Sequence, residues 1–194
     1  LIFCHRRKGL KKKASVVLLV LVVGAGVAQN LQLHYDFNDD RQYLTSTLEM
    51  FKPDALGSTF WFVDFDYNSA QQNKSMSLAY FELARYFTLP VLDNKLSATV
   101  QYNDGVVIGS VGDGNYLGAP LNSVWLGGLS YFIPVGKGNI SVDFLYRHMD
   151  VSDSPDGQFT LVWFYPFLDG KLHFMGFLDY WTQDVFGEKR GVLL

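Results

Sequence analysis

The chain has 194 residues, 48 % of them hydrophobic and 16 % aromatic, with a formal net charge of −3. Six of its 16 Lys and Arg lie at or before Lys13 and none of its 19 Asp and Glu do, so the rest carries 10 basic against 19 acidic residues, a net charge of −9. That acidity argues against nucleic acid as a partner, since neutralising phosphates takes clustered Lys and Arg; the single cysteine, Cys4, leaves no disulfide framework and no Cys-based metal site.

Residues 1–28 read as a leader. "KKK" (Lys11–Lys13) is a basic n-region, "ASVVLLVLVV" (Ala14–Val23) an apolar h-region, and "GVA" (Gly26–Ala28) places small residues before a cut that would leave Gln29 first. The apolar run Ala14–Ala28 has 15 residues, short of the ~20 that a spanning helix needs. "LIFCHRRKGL" has no initiator Met and lies upstream of a complete signal, as over-extended translation would leave it.

Residues 29–194 read as one domain, with no linker, no low-complexity tract and no sustained helical periodicity. Period-2 alternation recurs instead. It predicts nine strands: Leu31–Asn38, Tyr43–Phe51, Ser58–Asn68, Met76–Thr88, Leu96–Asn103, Asn122–Ile133, Asn139–Met149, Gln158–Tyr165 and Lys171–Trp181. In "NLQLHYDFND", Leu31, Leu33, Tyr35 and Phe37 share a face opposite Gln32, His34, Asp36 and Asn38. Leu96, Ala98, Val100 and Tyr102 alternate with Ser97, Thr99, Gln101 and Asn103, and Ile140, Val142, Phe144 and Tyr146 with Ser141, Asp143, Leu145 and Arg147. Trp61, Val63, Phe65 and Tyr67 oppose a mixed face of Phe60, Phe62, Asp64, Asp66 and Asn68. "MSLAYFELARYFTL" alternates poorly, and puts Glu82 and Arg85 on opposite faces.

Every second connection is short and carries a proline, namely Pro53, Pro90, Pro134 or Pro166, a residue that cannot donate to a ladder and presets a turn. The others, "DDRQ", "SAQQNKS", "DGVVIGSVGDGNYLGAPL", "DVSDSPDG" and "TQDVFGEKRG", are polar and more variable. Tight turns at one end and longer loops at the other suit an outer-membrane barrel. Aromatic residues gather near strand ends, among them Tyr35, Phe37, Tyr43, Phe51, Tyr86, Phe87, Tyr131, Phe132, Tyr180 and Trp181, where interfacial girdles would place them. The fold expected is therefore all-β, an antiparallel up-and-down transmembrane β-barrel. Bacterial barrels close with an even number of strands. Nine strands and "GVLL" as the start of a tenth suggest a barrel cut short at its C-terminus.

"RQYLTSTLEMFKPDALGSTFWFVDFDYN" (Arg41–Asn68) is the most distinctive stretch. With the opening Tyr35–Phe37, the "ELAR" of Glu82–Arg85 and the run Gly170–Trp181, it resembles an uncharacterised family of Gram-negative outer-membrane proteins grouped with the Tsx-like nucleoside-specific channels. The resemblance implies a twelve-stranded barrel, of which nine to ten strands lie in this sequence, passing nucleosides or similar small solutes. It implies outer-membrane lipid and the barrel-assembly machinery as partners. No nucleoside-contacting position carries over residue by residue.

If lipid faces Trp61, Val63 and Phe65, then Glu49, Phe60, Phe62, Asp64 and Asp66 face the lumen, with Asp143 and Arg147 on another strand. Aromatic faces that stack on a base and carboxylates that accept from ribose hydroxyls make these the candidate solute-contacting residues. The competing reading is an interior network in which the carboxylates pair with Arg85 or Arg147 and fill the barrel. The negative charge disfavours passage of anions.

No cofactor or metal is implied. His34, His148 and His173 are unclustered in sequence, and no G-x-S-x-G, H-E-x-x-H or His/Cys metal spacing occurs, so a lipid-modifying enzyme is the lesser alternative. "DVSDSPDG" (Asp150–Gly157) is acidic but lacks EF-hand spacing. A soluble periplasmic β-barrel binding a small ligand shares the signal and the alternation, and alternation alone does not say which face is inside.

Overall fold

A computed structural model describes residues 22–23, 29–37, 42–67, 76–152, 156–185 and 188–194. Cys4 and the predicted leader apart from Val22–Val23 lie outside the described residues, as do 38–41, 68–75, 153–155 and 186–187 within the predicted loops.

Among the described residues twelve strands form one antiparallel sheet: β1 (Val22–Val23), β2 (Gln29–Tyr35), β3 (Leu44–Asp54), β4 (Gly57–Tyr67), β5 (Leu78–Thr88), β6 (Leu96–Gly112), β7 (Asn115–Pro120), β8 (Val124–Val135), β9 (Gly138–Met149), β10 (Asp156–Phe167), β11 (Leu172–Val185) and β12 (Glu188–Leu193). Neighbours follow chain order throughout, except that β6 pairs with both β7 and β8. All nine expected strands are present, within a few residues at most of their expected ends. β6 and β11 run on further, and the tenth strand begins at Glu188. No helix among the described residues is long and apolar enough to cross a membrane.

Two expected loops are instead paired strands. In "DGVVIGSVGDGNYLGAPL", Val106, Val107, Ile108 and Val111 continue β6, and Asp113 and Gly114, both at positive φ, turn the chain back as β7. Asp-Gly is the pair that a tight two-residue hairpin demands, and β-branched residues extend the ladder on either side. β7 and β8 act as two halves of one strand: three steps along β6, from Asn103 to Val106, match four on the other side, from Val124 to Pro120. That extra residue is a bulge. Likewise "TQDVFGEKRG" is paired from Tyr180↔Leu193 up to Val185↔Glu188.

The short turns are as expected. Pro53, Pro134 and Pro166 occupy the next-to-last rungs of their ladders, opposite Ser58, Asn139 and His173. Two turns share a pattern, "PVLDNK" and "PFLDGK", and share a shape: Leu92, Asp93 and Asn94 in one, Leu168, Asp169 and Gly170 in the other, all lie at positive φ.

The sheet is strongly curled. Tyr86 on β5 donates a 3.0 Å hydrogen bond to Asp143 on β9 across β6 and β8. Glu82 on β5 and Asp179 on β11 lie within electrostatic reach, although five strand spacings would part them by ~24 Å on a flat sheet. The closed barrel expected from the sequence is not what the described residues form. Closure needs a full ladder between the first and last strands; β12 has 6 residues and pairs with β11, while Val22–Val23 lies against β2.

Candidate functional site

The concave face is the polar one. Along β3 it presents Thr45, Thr47 and Glu49; along β4, Phe60, Phe62, Asp64 and Asp66; along β5, Tyr80, Glu82, Ala84 and Tyr86. β9 adds Asp143, Leu145, Arg147 and Met149, β10 adds Asp156, Gln158 and Thr160, and β11 adds Phe177, Asp179 and Trp181. The convex face carries Leu31, Leu33, Leu48, Phe81, Leu83, Val100, Trp125, Leu129, Phe144 and Tyr146 in the open. On β9 the two faces meet in adjacent residues: Asp143 is 2 % exposed and Phe144 is 64 % exposed. Along these strands polar residues are sheltered while large apolar residues on the convex face stand bare.

Five predicted site residues share one wall. Glu49, Phe60, Phe62, Asp64 and Asp66 lie side by side on β3 and β4 in the pairs Thr45↔Asp66, Thr47↔Asp64, Glu49↔Phe62 and Phe51↔Phe60. Thr45 donates to Asp66 at 2.6 Å, Thr47 donates to Asp64, and the Asn30 amide donates to Glu49 at 2.9 Å. These donors hold the carboxylates flat along the wall. Phe60 and Phe62 lie with ring centroids 6.0 Å apart, and Phe62 and Tyr80 6.1 Å apart, both tilted. The face thus offers aromatic edges beside carboxylate acceptors.

Asp143 and Arg147 belong to the opposite wall. Asp143 accepts from Tyr86 at 3.0 Å and from the Gln101 amide at 3.2 Å. Arg147 is buried among Leu126, Leu145 and Met149, which together with Val124 form the apolar cluster of the concave face. Its guanidinium carbon sits 5.8 Å from the Trp181 ring centre, a cation–π placement. Across the ladder stands Asp156, whose carboxylate accepts from Ser152 at 2.9 Å and Thr182 at 3.1 Å. One terminal nitrogen of Arg147, Nη1, is buried with no hydrogen-bond partner among the described residues.

Arg85 does not pair with these carboxylates. It lies on the convex face at the short-turn end and grips Asp54 with both terminal nitrogens, at 2.6 and 2.9 Å, also donating to Thr59 at 3.0 Å. The guanidinium bonds, helped by the Leu56 backbone N–H, hold the Asp54 carboxyl well below the usual range, at about 2.

The sequence reading missed Tyr80, Glu82, Tyr86, Asp156, Asp179 and Trp181. Glu82 accepts from Tyr80 and, at 3.1 Å, from Asn103; Asp179 accepts from Thr160. Asp179 and Trp181 were within reach of the alternation in "FLDYW", whereas β5 alternates too poorly to reveal Glu82 and Tyr86. His34, His148 and His173 lie on β2, β9 and β11. His148 is on the convex face, 3.5 Å from Asp150, and His173 packs against Phe164 at 5.2 Å. Among the described residues no group of three or more His, Cys, Asp or Glu is placed to hold a metal ion.

Neither the curated proteins nor the solved structures contain a match to this chain. A family model described as "Domain of unknown function (DUF5020)" matches residues 28–194, so the chain belongs to that family.

Proposed function

We propose that this curled sheet is the body of an outer-membrane β-barrel that passes small solutes by diffusion, with nucleosides the leading class. The observation that carries the reading is the reversed partition of side chains: Gln32, Thr47, Asp66, Thr99, Ser130 and Asp143 buried, Leu33, Leu48, Val100, Leu129 and Phe144 exposed. A lipid-facing exterior and a wet interior account for both halves of that pattern. Short proline-bearing turns at one end and the long β6–β7 hairpin at the other add to it. The family match begins at residue 28, at the predicted signal cut, in keeping with export to a Gram-negative outer membrane. Lipid and the barrel-assembly machinery are the partners this implies. The nucleoside class rests on the resemblance of Thr45–Tyr67 to the Tsx-like group and on a wall where the Phe60 and Phe62 rings lie beside Glu49, Asp64 and Asp66. Transport is passive, driven by the solute gradient.

The test is flux into liposomes carrying the full chain, comparing adenosine and thymidine with sugars and amino acids of similar size. The reading expects nucleosides to pass faster and Phe62→Ala or Asp64→Ala to reduce that preference. No flux above empty liposomes, from protein with heat-modifiable gel migration, ends it. The packed cluster Val124, Leu126, Leu145 and Met149 favours a second reading, a plugged structural or ligand-binding barrel, which that outcome would leave standing.

A further inference from the structure

We propose that Arg147 and Trp181, facing Tyr80 and Glu82 across the trough, form a second solute subsite that takes a ring-carbonyl or hydroxyl oxygen of a neutral solute. The inference deepens the channel reading and rests on it. Three observations converge on this place. Arg147 is buried, yet its Nη1 donates to nothing among the described residues. A guanidinium presents a planar fork of donors, so an unused N–H in a sheltered site is one that an incoming acceptor satisfies. The Trp181 ring lies 5.8 Å from the guanidinium carbon and covers it on one side. Tyr80 lies within electrostatic reach of Arg147, and Asp179, two residues from Trp181 on the same face, lies within reach of Glu82, so the two walls approach each other here.

The surroundings choose the chemistry of the acceptor. Asp156 stands across the ladder from Arg147, and on the facing wall Tyr80, within electrostatic reach of Arg147, donates to the Glu82 carboxylate. A phosphate or carboxylate entering would meet these carboxylates as well as the one guanidinium. A neutral carbonyl oxygen meets no such repulsion and still accepts a charge-assisted hydrogen bond. Donor groups on the same solute have the Glu82 carboxylate on the facing wall. The subsite therefore suits a neutral ring carrying both carbonyl oxygens and N–H or O–H donors, and rejects the same ring once it bears a phosphate.

The experiment is equilibrium binding of uridine and of uridine monophosphate to the detergent-folded full chain, by calorimetry, with uridine flux measured in parallel. The wild type is expected to bind uridine and to bind the monophosphate far more weakly. Arg147→Met is expected to weaken uridine binding about tenfold or more, the loss of one hydrogen bond from a charged donor. Arg147→Lys, which keeps the charge without the planar fork, is expected to fall between them and serves if the Met variant does not fold. Unchanged uridine affinity in a folded Arg147 variant overturns the subsite, as do equal affinities for uridine and its monophosphate, or no uridine binding by the wild type. Flux that ignores Arg147 overturns the subsite and leaves the channel. Arg147-dependent binding in a protein that passes no solute ends the channel reading and leaves the subsite.

Discussion

Tyr86 and Asp143 are 57 positions apart in sequence, with two strands between theirs in the sheet, and the phenol donates to the carboxylate at 3.0 Å. Three strand spacings cover ~14 Å, a gap that a tyrosine and an aspartate bridge only by lying along the concave face. The Gln101 amide donates at 3.3 Å to the Tyr86 oxygen and at 3.2 Å to the same Asp143 oxygen, which closes a three-membered network over Thr99. The bond ties the β5 wall to the β9 wall and fixes the curl of the sheet between them. Tyr86→Phe keeps the ring and removes the donor. It is expected to cost about 1.5–3 kcal/mol, the range for a hydrogen bond to a charged group, read as a lower urea midpoint for unfolding from lipid vesicles. Because the bond couples two walls, Tyr86→Phe and Gln101→Leu are expected to be non-additive in a double-mutant cycle.

Gly128 on β8 lies opposite Leu145 on β9, and an added Cβ would come 2.0 Å from the Phe144 carbonyl oxygen, a backbone atom. The ladder cannot yield there without parting the strands. Gly128→Ala is expected to destabilise the fold by roughly 2–3 kcal/mol, as overpacking does. Gly109, in the β6–β7 hairpin, has nothing within 4 Å of an added Cβ. Gly109→Ala is expected to fall within about 0.5 kcal/mol of neutral. Chemical denaturation of the two variants side by side checks the pair.

Asp54 and Arg85 predict a pH effect with a definite sign. The folded-state carboxyl titrates at about 2, below the unfolded value of about 4. Its stabilising contribution is therefore fully present above pH ~4 and is lost as the pH falls from there through about 2. The wild type is expected to lose stability across that interval, and Arg85→Met to lose less over the same interval. The Asp54 side chain is 41 % exposed, so added salt is expected to shrink the difference. Unfolding midpoints at stepped pH, with and without salt, measure both.

Much of this architecture was legible in period-2 alternation. Leu96–Asn103 and Ile140–Arg147 assign their faces residue by residue, and Glu49, Phe60, Phe62, Asp64 and Asp66 fell together on one wall because two adjacent strands each kept their parity. The β6–β7 hairpin was missed because a glycine-rich run masks its β-branched residues, although Asp113-Gly114 marks its turn. The Tyr86–Asp143 bond and the place of Arg147 beside Trp181 were beyond alternation. Parity says which face a side chain takes, whereas these relationships depend on how far the whole sheet curls. Arg85 shows the same limit: its face was readable, but its partner Asp54 is set by the two-residue turn that brings β3 and β4 together at that end.

Phe144 offers the sharpest test of what lies outside the sheet. It projects from the convex face of β9, 64 % exposed, with its ring 5.4 Å from that of Phe159. If lipid bathes that face, Phe144→Arg puts a charge against hydrocarbon and is expected to cost ~2–4 kcal/mol near mid-depth, falling toward zero nearer the interface. If water bathes it, the same change trades an exposed aromatic ring for a solvated cation and is expected to cost under about 0.5 kcal/mol. Val100→Arg, on the convex face of β6 and 50 % exposed, repeats the test on another strand. Reversible unfolding from vesicles gives the size of the effect. Variants of both residues that unfold at the wild-type midpoint would rule out the membrane placement, and with it the channel.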